Sequence, residues 1–437
     1  MEKTISSQQQ SKNYVLPIII MFALFFMIAF VTGYQNPLGS VIKKMTGGNA
    51  ILTQLGTLAN FIAYAFMGLP AGMMLQKKGY RITSLGAVSV GFIGVLITYM
   101  SQFIGDVNTS VVIYLIGAFV SGFSMCMLNT VVNPMLNSLG KNENQGNQLV
   151  QFGGACNSLG ATLAPMVVGA LMGQNATSIA DANAVFYMAM GIFAAAFLVI
   201  YFSKLPESPT LGQKTEEVKA SGAFKYRNFV LGVVAIFCYV GVEVGIANFS
   251  LQYVENYLKE NPATVSTAAA TAGAVSGVYW LLMLVGRLIG GAVGGKVSSR
   301  AMLAFVAIVG LVFLALAINL PETTTVDMFG IDKENGFEIT TVVLPISVLF
   351  LVLCGLCTSV MWGAIFNLSV SGLGKYTQVA SGIFMVMVCG GGIWPFIQSM
   401  IVGDGGLSSY LSSFWLVFAL VAYQLFYALV GSRVKKA

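Results

Sequence analysis

Residues 237–257 read FCYVGVEVGIANFSLQYVENY, and deep within that apolar run stands one acid, Glu243. A carboxylate in hydrocarbon is costly unless it is paired, protonated or facing water, so its presence there points to function. A membrane-crossing helix needs about 20 predominantly apolar residues, and this stretch supplies them. It lacks the strict alternation of a transmembrane strand.

The same kind of run recurs along the whole chain. Twelve spans are expected, at approximately 15–38, 51–75, 82–103, 111–137, 149–173, 184–203, 229–257, 268–294, 300–320, 341–368, 378–402 and 408–431. Of the 437 residues, 57% are hydrophobic and only 9% are charged, against about 25% charged in a soluble domain. The expected fold class is therefore an all-α integral membrane protein with twelve transmembrane helices.

The charges orient it. With the N-terminus in the cytoplasm, the cytoplasmic side carries Lys77, Lys78, Arg81, Lys204, Lys225, Arg227, Arg300, Arg433 and most other basic residues. The opposite side keeps only Lys43, Lys44, Lys259 and Lys333. That is the positive-inside bias, and it places both termini in the cytoplasm. The net charge of +6 thus reports topology, with no nucleic-acid partner implied. No cleavable signal peptide is expected, because the first apolar run is too long for one.

A charged, Pro- and Gly-containing connection, SKLPESPTLGQKTEEVKASGAFKYR, fills the region between the sixth and seventh spans. It divides the chain into a bundle over residues 1–203, a cytoplasmic linker at 204–228 and a second bundle over 229–437. The halves echo one another. Asn137–Lys141 reads NSLGK and Ser371–Lys375 reads SGLGK; Pro165 and Gly173 have counterparts in Pro395 and Gly403. GLPAGMMLQKKGYR (68–81) is matched by GRLIGGAVGGKVSSR (286–300). Such internal repetition is the layout of alternating-access carriers.

Glu243 lies about 21 Å along its helix from the cytoplasmic end, near the middle of the bilayer. Two uses compete for it: binding a coupling cation, or a structural ion pair with Arg287, its only clear basic counterpart at depth. Polar side chains on otherwise apolar spans are the candidate substrate ligands. Asn129 and Asn133 are four residues apart and share one helical face. Gln151 and Asn157 lie on the fifth span, Asn248 on the seventh, Asn367 on the tenth and Gln398 on the eleventh. Trp362 and Tyr279 are candidate platforms for an apolar ring face. Amides with aromatic platforms suit a neutral polyhydroxylated solute, since amides both donate and accept. Lys77, Lys78 and Arg81, in the turn between the second and third spans, are candidates for gating or for plain membrane anchoring.

Other classes fit poorly. The chain has no His, and its six cysteines all lie in spans, so no metal centre or cofactor is expected. An enzyme would need paired acids or a metal cluster, and a sensor would need a sizeable soluble domain. A channel does not call for duplicated halves around a polar cavity.

Several stretches together resemble one family. LNTVVNPMLNSLGKNENQGNQLVQFGGACNSLGATLAP (128–165), FCYVGVEVGIANFSLQYV (237–254), VYWLLMLVGRLIGG (278–291) and SGLGKYTQVASGIFMVMVCGGGIWPFIQ (371–398) are similar, in order, to the fucose–hexose–proton symporters of the major facilitator superfamily. The resemblance implies two pseudo-symmetric six-helix bundles and symport of glucose, galactose, fucose or a similar sugar. It also implies a bacterial inner membrane, with the sugar and the bilayer as partners and a monomeric carrier. Proton-coupled members carry an Asp late in the first span and a Glu just before TAANP. Here LFFMIAFVTGYQNP places Asn36 at the first position and NTVVNP places Asn129 at the second. Amides can bind sugar hydroxyls but cannot carry a proton, which leaves Glu243 as the carboxylate for coupling to H+ or Na+. If Glu243 serves only as the partner of Arg287, the chain is a sugar uniporter or a carrier of another small polar solute.

Overall fold

The computed structural model describes residues 14–48, 50–140, 143–172, 176–207, 220–261, 268–294, 297–332, 338–373 and 376–434. About half of the linker (208–219) and the repeat landmarks Lys141, Gly173 and Lys375 lie outside them.

The chain is built of helices. In order they are α1 (Val15–Gly33), α2 (Gln35–Thr46), α3 (Ala50–Met100), α4 (Val107–Leu139), α5 (Glu143–Met172), α6 (Asn183–Phe202) and α7 (Arg227–Glu260). Then follow α8 (Ala268–Val293), α9 (Ser299–Asn319), α10 (Ile346–Thr358), α11 (Met361–Val370), α12 (Thr377–Val386), α13 (Gly390–Val402) and α14 (Leu407–Phe426). Among the described residues, ten helical stretches are long and apolar enough to cross a membrane. One of them, Leu52–Phe103, is two helices joined at Gly79, whose φ of 79° and ψ of −180° lie outside the helical region. With α5 (Glu143–Met172), whose later part ACNSLGATLAPMVVGALM is apolar and uncharged, the crossings number twelve, as the sequence predicts. The arrangement is the major facilitator fold of two six-helix bundles.

Three crossings are broken near mid-length. The first breaks at Tyr34, between α1 and α2, where Pro37 has no N–H to give to the carbonyl of Gly33. The tenth breaks at Ser359–Val360, between α10 and α11. There Thr358 Oγ1 donates to the Cys354 carbonyl (3.1 Å) and Ser359 Oγ to that of Leu356 (2.6 Å), so hydroxyls compete with the helix ladder. The eleventh tightens into a 3-10 turn at Met387–Cys389, ahead of three consecutive glycines. Irregular backbone at membrane depth is tolerated where it lines a cavity, and Gly33, Ser359 and Val388 all do so here.

The bundles meet along two seams, α5 on α8 and the first half of α3 on α12 and α13. Without a hydrophobic drive inside the bilayer, helices associate through close packing at small residues. A Cβ added at Gly392 would stand 3.0 Å from the Leu58 Cα, so backbone meets side-chain-free backbone there.

One feature differs from the sequence reading, which leaves residues 321–340 as a loop and starts the tenth span at 341. Between α9 and α10 the chain forms an antiparallel hairpin, β1 (Thr325–Asp332) with β2 (Glu338–Pro345), and α10 starts only at Ile346. Val326, Met328 and Gly330 pair with Leu344, Val342 and Thr340 on the face turned inward. Gly330 there approaches Thr271 at the start of α8.

Candidate functional site

A cavity of about 190 Å³ lies between the two bundles. Its walls follow from helical spacing. On α7 the lining residues are Val240, Glu243, Val244, Asn248 and Leu251, one face of the helix. On α5 they are Val150, Gln151, Gly154, Asn157 and Ala161, and on α4 Asn129 and Asn133. Ser276, Trp280 and Arg287 come from α8, and Ser359, Trp362 and Gly363 from the tenth crossing. Phe25, Phe61 and Tyr64 complete the aromatic part.

The amides are held in place by the backbone and by one another. Asn157 Nδ2 donates to the Phe25 carbonyl (3.0 Å), tying α5 to α1. Asn133 Nδ2 donates to the Asn129 carbonyl (2.9 Å), and Asn129 Nδ2 to the Tyr64 hydroxyl (3.0 Å). Asn248 Nδ2 donates to Gln54 Oε1 on α3 (3.0 Å), a bond between the bundles. Each carboxamide thus has its donor fixed and its orientation set.

Glu243 and Arg287 form an ion pair, Nη2 to Oε1 at 3.3 Å, with side chains only 12% and 9% exposed. Arg287 Nη1 turns the other way, donating to the Gly154 carbonyl (2.5 Å) and the Ser158 hydroxyl (2.8 Å) of α5. Tyr239, one turn before Glu243, donates its hydroxyl to the Thr358 carbonyl (3.2 Å) and sits against the carboxylate. A buried pair of this kind is fragile: removing one partner leaves an uncompensated charge in a water-poor place.

Of the residues singled out from the sequence, Asn129, Asn133, Gln151, Asn157, Glu243, Asn248, Arg287 and Trp362 line this one cavity. Tyr279 does not. It is fully buried behind the wall, its hydroxyl 3.0 Å from Thr358 Oγ1. Its neighbour Trp280 takes the lining position, because Ser276, Trp280 and Arg287 share a face from which Tyr279 is turned by about 100°. Asn367 lies one turn beyond Gly363 and outside the lining. Asn36 falls in α2, and its side chain is outside the described residues. Gln398 is buried on α13 and donates to Ser413 Oγ (3.0 Å). Lys77 and Lys78 are exposed at the end of the second crossing; Arg81 donates to the Tyr201 carbonyl and lies over its ring, 5.8 Å from the centroid.

Sequence reasoning missed Trp280, Tyr239, Tyr64 and Ser158. The spacing from Arg287 back to Trp280 and Ser276, seven and eleven residues, was the signal available for the first.

Comparison with known proteins gives a consistent picture. A glucose/galactose transporter of Brucella abortus (strain 9-941) is 29% identical over 434 residues, covering 97% of this chain and 95% of the relative. The L-fucose-proton symporter of Escherichia coli K12 is 22% identical over 426 residues, 91% of this chain and 89% of its own. A crystal structure of the transporter FucP in the outward conformation superposes with a TM-score of 0.70 at 16% identity, covering 95% of this chain and 98% of that one. These relatives are transporters, not enzymes. The Major Facilitator Superfamily model matches residues 21–395, and the chain belongs to that superfamily.

Proposed function

We propose that this chain is a secondary carrier that takes up a hexose or 6-deoxyhexose of the glucose, galactose or fucose class by alternating access, coupled through Glu243 to H+ or Na+. The observation that carries the proposal is the cavity wall itself. Fixed amides (Asn129, Asn133, Asn157, Asn248) and aromatic faces (Trp280, Trp362, Phe61) surround one buried carboxylate. Sugars present hydroxyls along the ring edge and apolar C–H faces, and this lining offers partners for both. The names of the relatives, glucose/galactose transporter and L-fucose-proton symporter, support the same substrate class.

The rest of the assignment follows the sequence. The division at 1–203, 204–228 and 229–437 makes each bundle one rocking unit. Both termini face the cytoplasm of a bacterial cell, by the basic-residue bias, and the carrier acts as a monomer. Lys77, Lys78 and Arg81 serve gating or membrane anchoring on that side.

Uniport is the second reading, and the 3.3 Å pair between Glu243 and Arg287 is the observation that favours it. Purified protein in proteoliposomes separates the two. Uptake of labelled glucose, galactose and fucose is followed under an inward Na+ gradient at equal pH, then under an inward H+ gradient without Na+. Accumulation above equilibrium under either gradient supports symport and names the ion. Equilibration alone under both leaves uniport, and no entry of any of the three sugars removes the substrate class.

A further inference from the structure

Arg287 does more than neutralise Glu243. Both residues belong to the last six crossings, on α8 and α7, yet the shorter bonds of the guanidinium run to α5 in the first six. Nη1 meets the Gly154 carbonyl at 2.5 Å and Ser158 Oγ at 2.8 Å, while Nη2 meets Glu243 at 3.3 Å. One guanidinium is therefore divided between the two bundles. Its planar fork permits this, since two nitrogens point in fixed and different directions; an ammonium has no such geometry. Gly154 permits it as well, because a Cβ there would already stand 3.3 Å from Arg287 Cδ.

The division has an electrostatic consequence. With Glu243 ionised, the junction is neutral and can be buried in the α5–α8 seam. With Glu243 neutralised by a proton or a bound Na+, the guanidinium becomes a net charge in the same water-poor place. Burying a charge without its counter-charge is expensive, so the seam must admit water or come apart.

We propose that Arg287 makes closure of the α5–α8 seam conditional on the charge of Glu243. The inference rests on the reading of Glu243 as the cation-coupling group. The empty carrier closes with its pair intact. A carrier loaded with cation alone is held open by the unmatched guanidinium. Sugar hydroxyls in the cavity replace the water that the guanidinium would otherwise need, and the fully loaded carrier closes. Those three statements are the rule a symporter must obey to avoid leaking its driving ion.

The test is hydrogen exchange in nanodiscs, read on peptides from α5 and α8, for the parent, Glu243→Gln, Arg287→Gln, the double variant and Ser158→Ala. Each single charge variant should exchange about tenfold faster than the parent, and the neutral double variant should return to within about threefold of it (tenfold is about 1.4 kcal/mol). Ser158→Ala removes an α5 acceptor without changing charge and should open the seam far less than Glu243→Gln. That comparison decides the matter alone if Arg287→Gln does not fold. A double variant as open as the worse single, or Glu243→Gln no more open than Ser158→Ala, overturns the proposal. Cation flux without sugar supplies the functional arm: Arg287→Gln should conduct the coupling ion and the parent should not. If the parent shows no ion-driven sugar accumulation, the coupling role of Glu243 fails while the exchange result still reports on the seam. If accumulation holds and the exchange cycle is additive, only the role of Arg287 fails.

Discussion

Asn248 on α7 donates to Gln54 on α3 at 3.0 Å, joining the two bundles by a side-chain bond in which both residues are buried. It lies near the end of the cavity away from the termini, four residues into α3 and well along α7. Polar bonds between membrane helices average about 0.6 kcal/mol. Gln54→Ala should therefore shift the balance toward the state open at that end by about threefold. Labelling of a single engineered cysteine in the cavity, with and without sugar, measures that shift.

Trp280 and Trp362 both line the cavity, each fixed by an aromatic neighbour, Tyr279 at 5.3 Å and Phe384 at 5.7 Å between ring centroids. As platforms for a sugar face they should matter to affinity before they matter to folding. Trp280→Ala is expected to raise KM about tenfold, equivalent to about 1.4 kcal/mol, and Trp280→Phe to recover most of that. Tyr279→Phe loses only the hydroxyl contact behind the wall and should leave KM near the parent value. Initial uptake rates over a range of sugar concentration settle the comparison.

Gly79 and Glu207 form a clip at the end of the second crossing. The carboxylate accepts from the backbone N–H of Tyr80 (2.5 Å) and of Arg81 (3.0 Å), satisfying orphan donors at the start of the third helix. A Cβ at Gly79 would come within 2.2 Å of Glu207 Oε2, and its φ of 79° already disfavours any other residue. Gly79→Ala should cost about 1–3 kcal/mol from the backbone conformation alone, with more from the displaced carboxylate. A lowered unfolding midpoint in detergent is the readout, and Glu207→Ala should lower it by less.

Asp106 caps α4, accepting from the Thr109 hydroxyl (2.6 Å) and backbone N–H (2.8 Å), and those bonds hold its carboxyl below the usual carboxylate range. Because the folded value is the lower one, the cap is present above the ordinary carboxylate pKa and is lost as pH falls through the depressed value. Asp106→Asn should remove that acid dependence from local exchange at the start of α4, while the parent keeps it.

The fold was legible because the bilayer imposes length. Runs of about 20 apolar residues leave little choice of element, and the Gly, Pro and basic turns mark where they end. The amide lining was legible because Asn and Gln are costly on a lipid-facing surface, so Asn129, Asn133, Asn157 and Asn248 had to face inward. The hairpin was not, since TTVVLP (340–345) continues without a polar break into the apolar ISVLFLVL of α10. Its β-branched residues were the clue, and their period of two is short. Tyr279, the expected platform, is turned away from the cavity because hydropathy does not give a helix its rotation; only the phase set by Arg287 does. The bond from Arg287 to α5 was out of reach altogether, because it joins residues 133 positions apart through a backbone carbonyl.

In the proposed carrier, Glu243 converts an ion gradient into sugar accumulation. Glu243→Gln in proteoliposomes tests it directly, with gradient-driven uptake and sugar exchange at equilibrium measured on the same preparation. The variant should still exchange sugar across the membrane but no longer accumulate it above equilibrium, whereas the parent should do both. A variant that accumulates as well as the parent would contradict it.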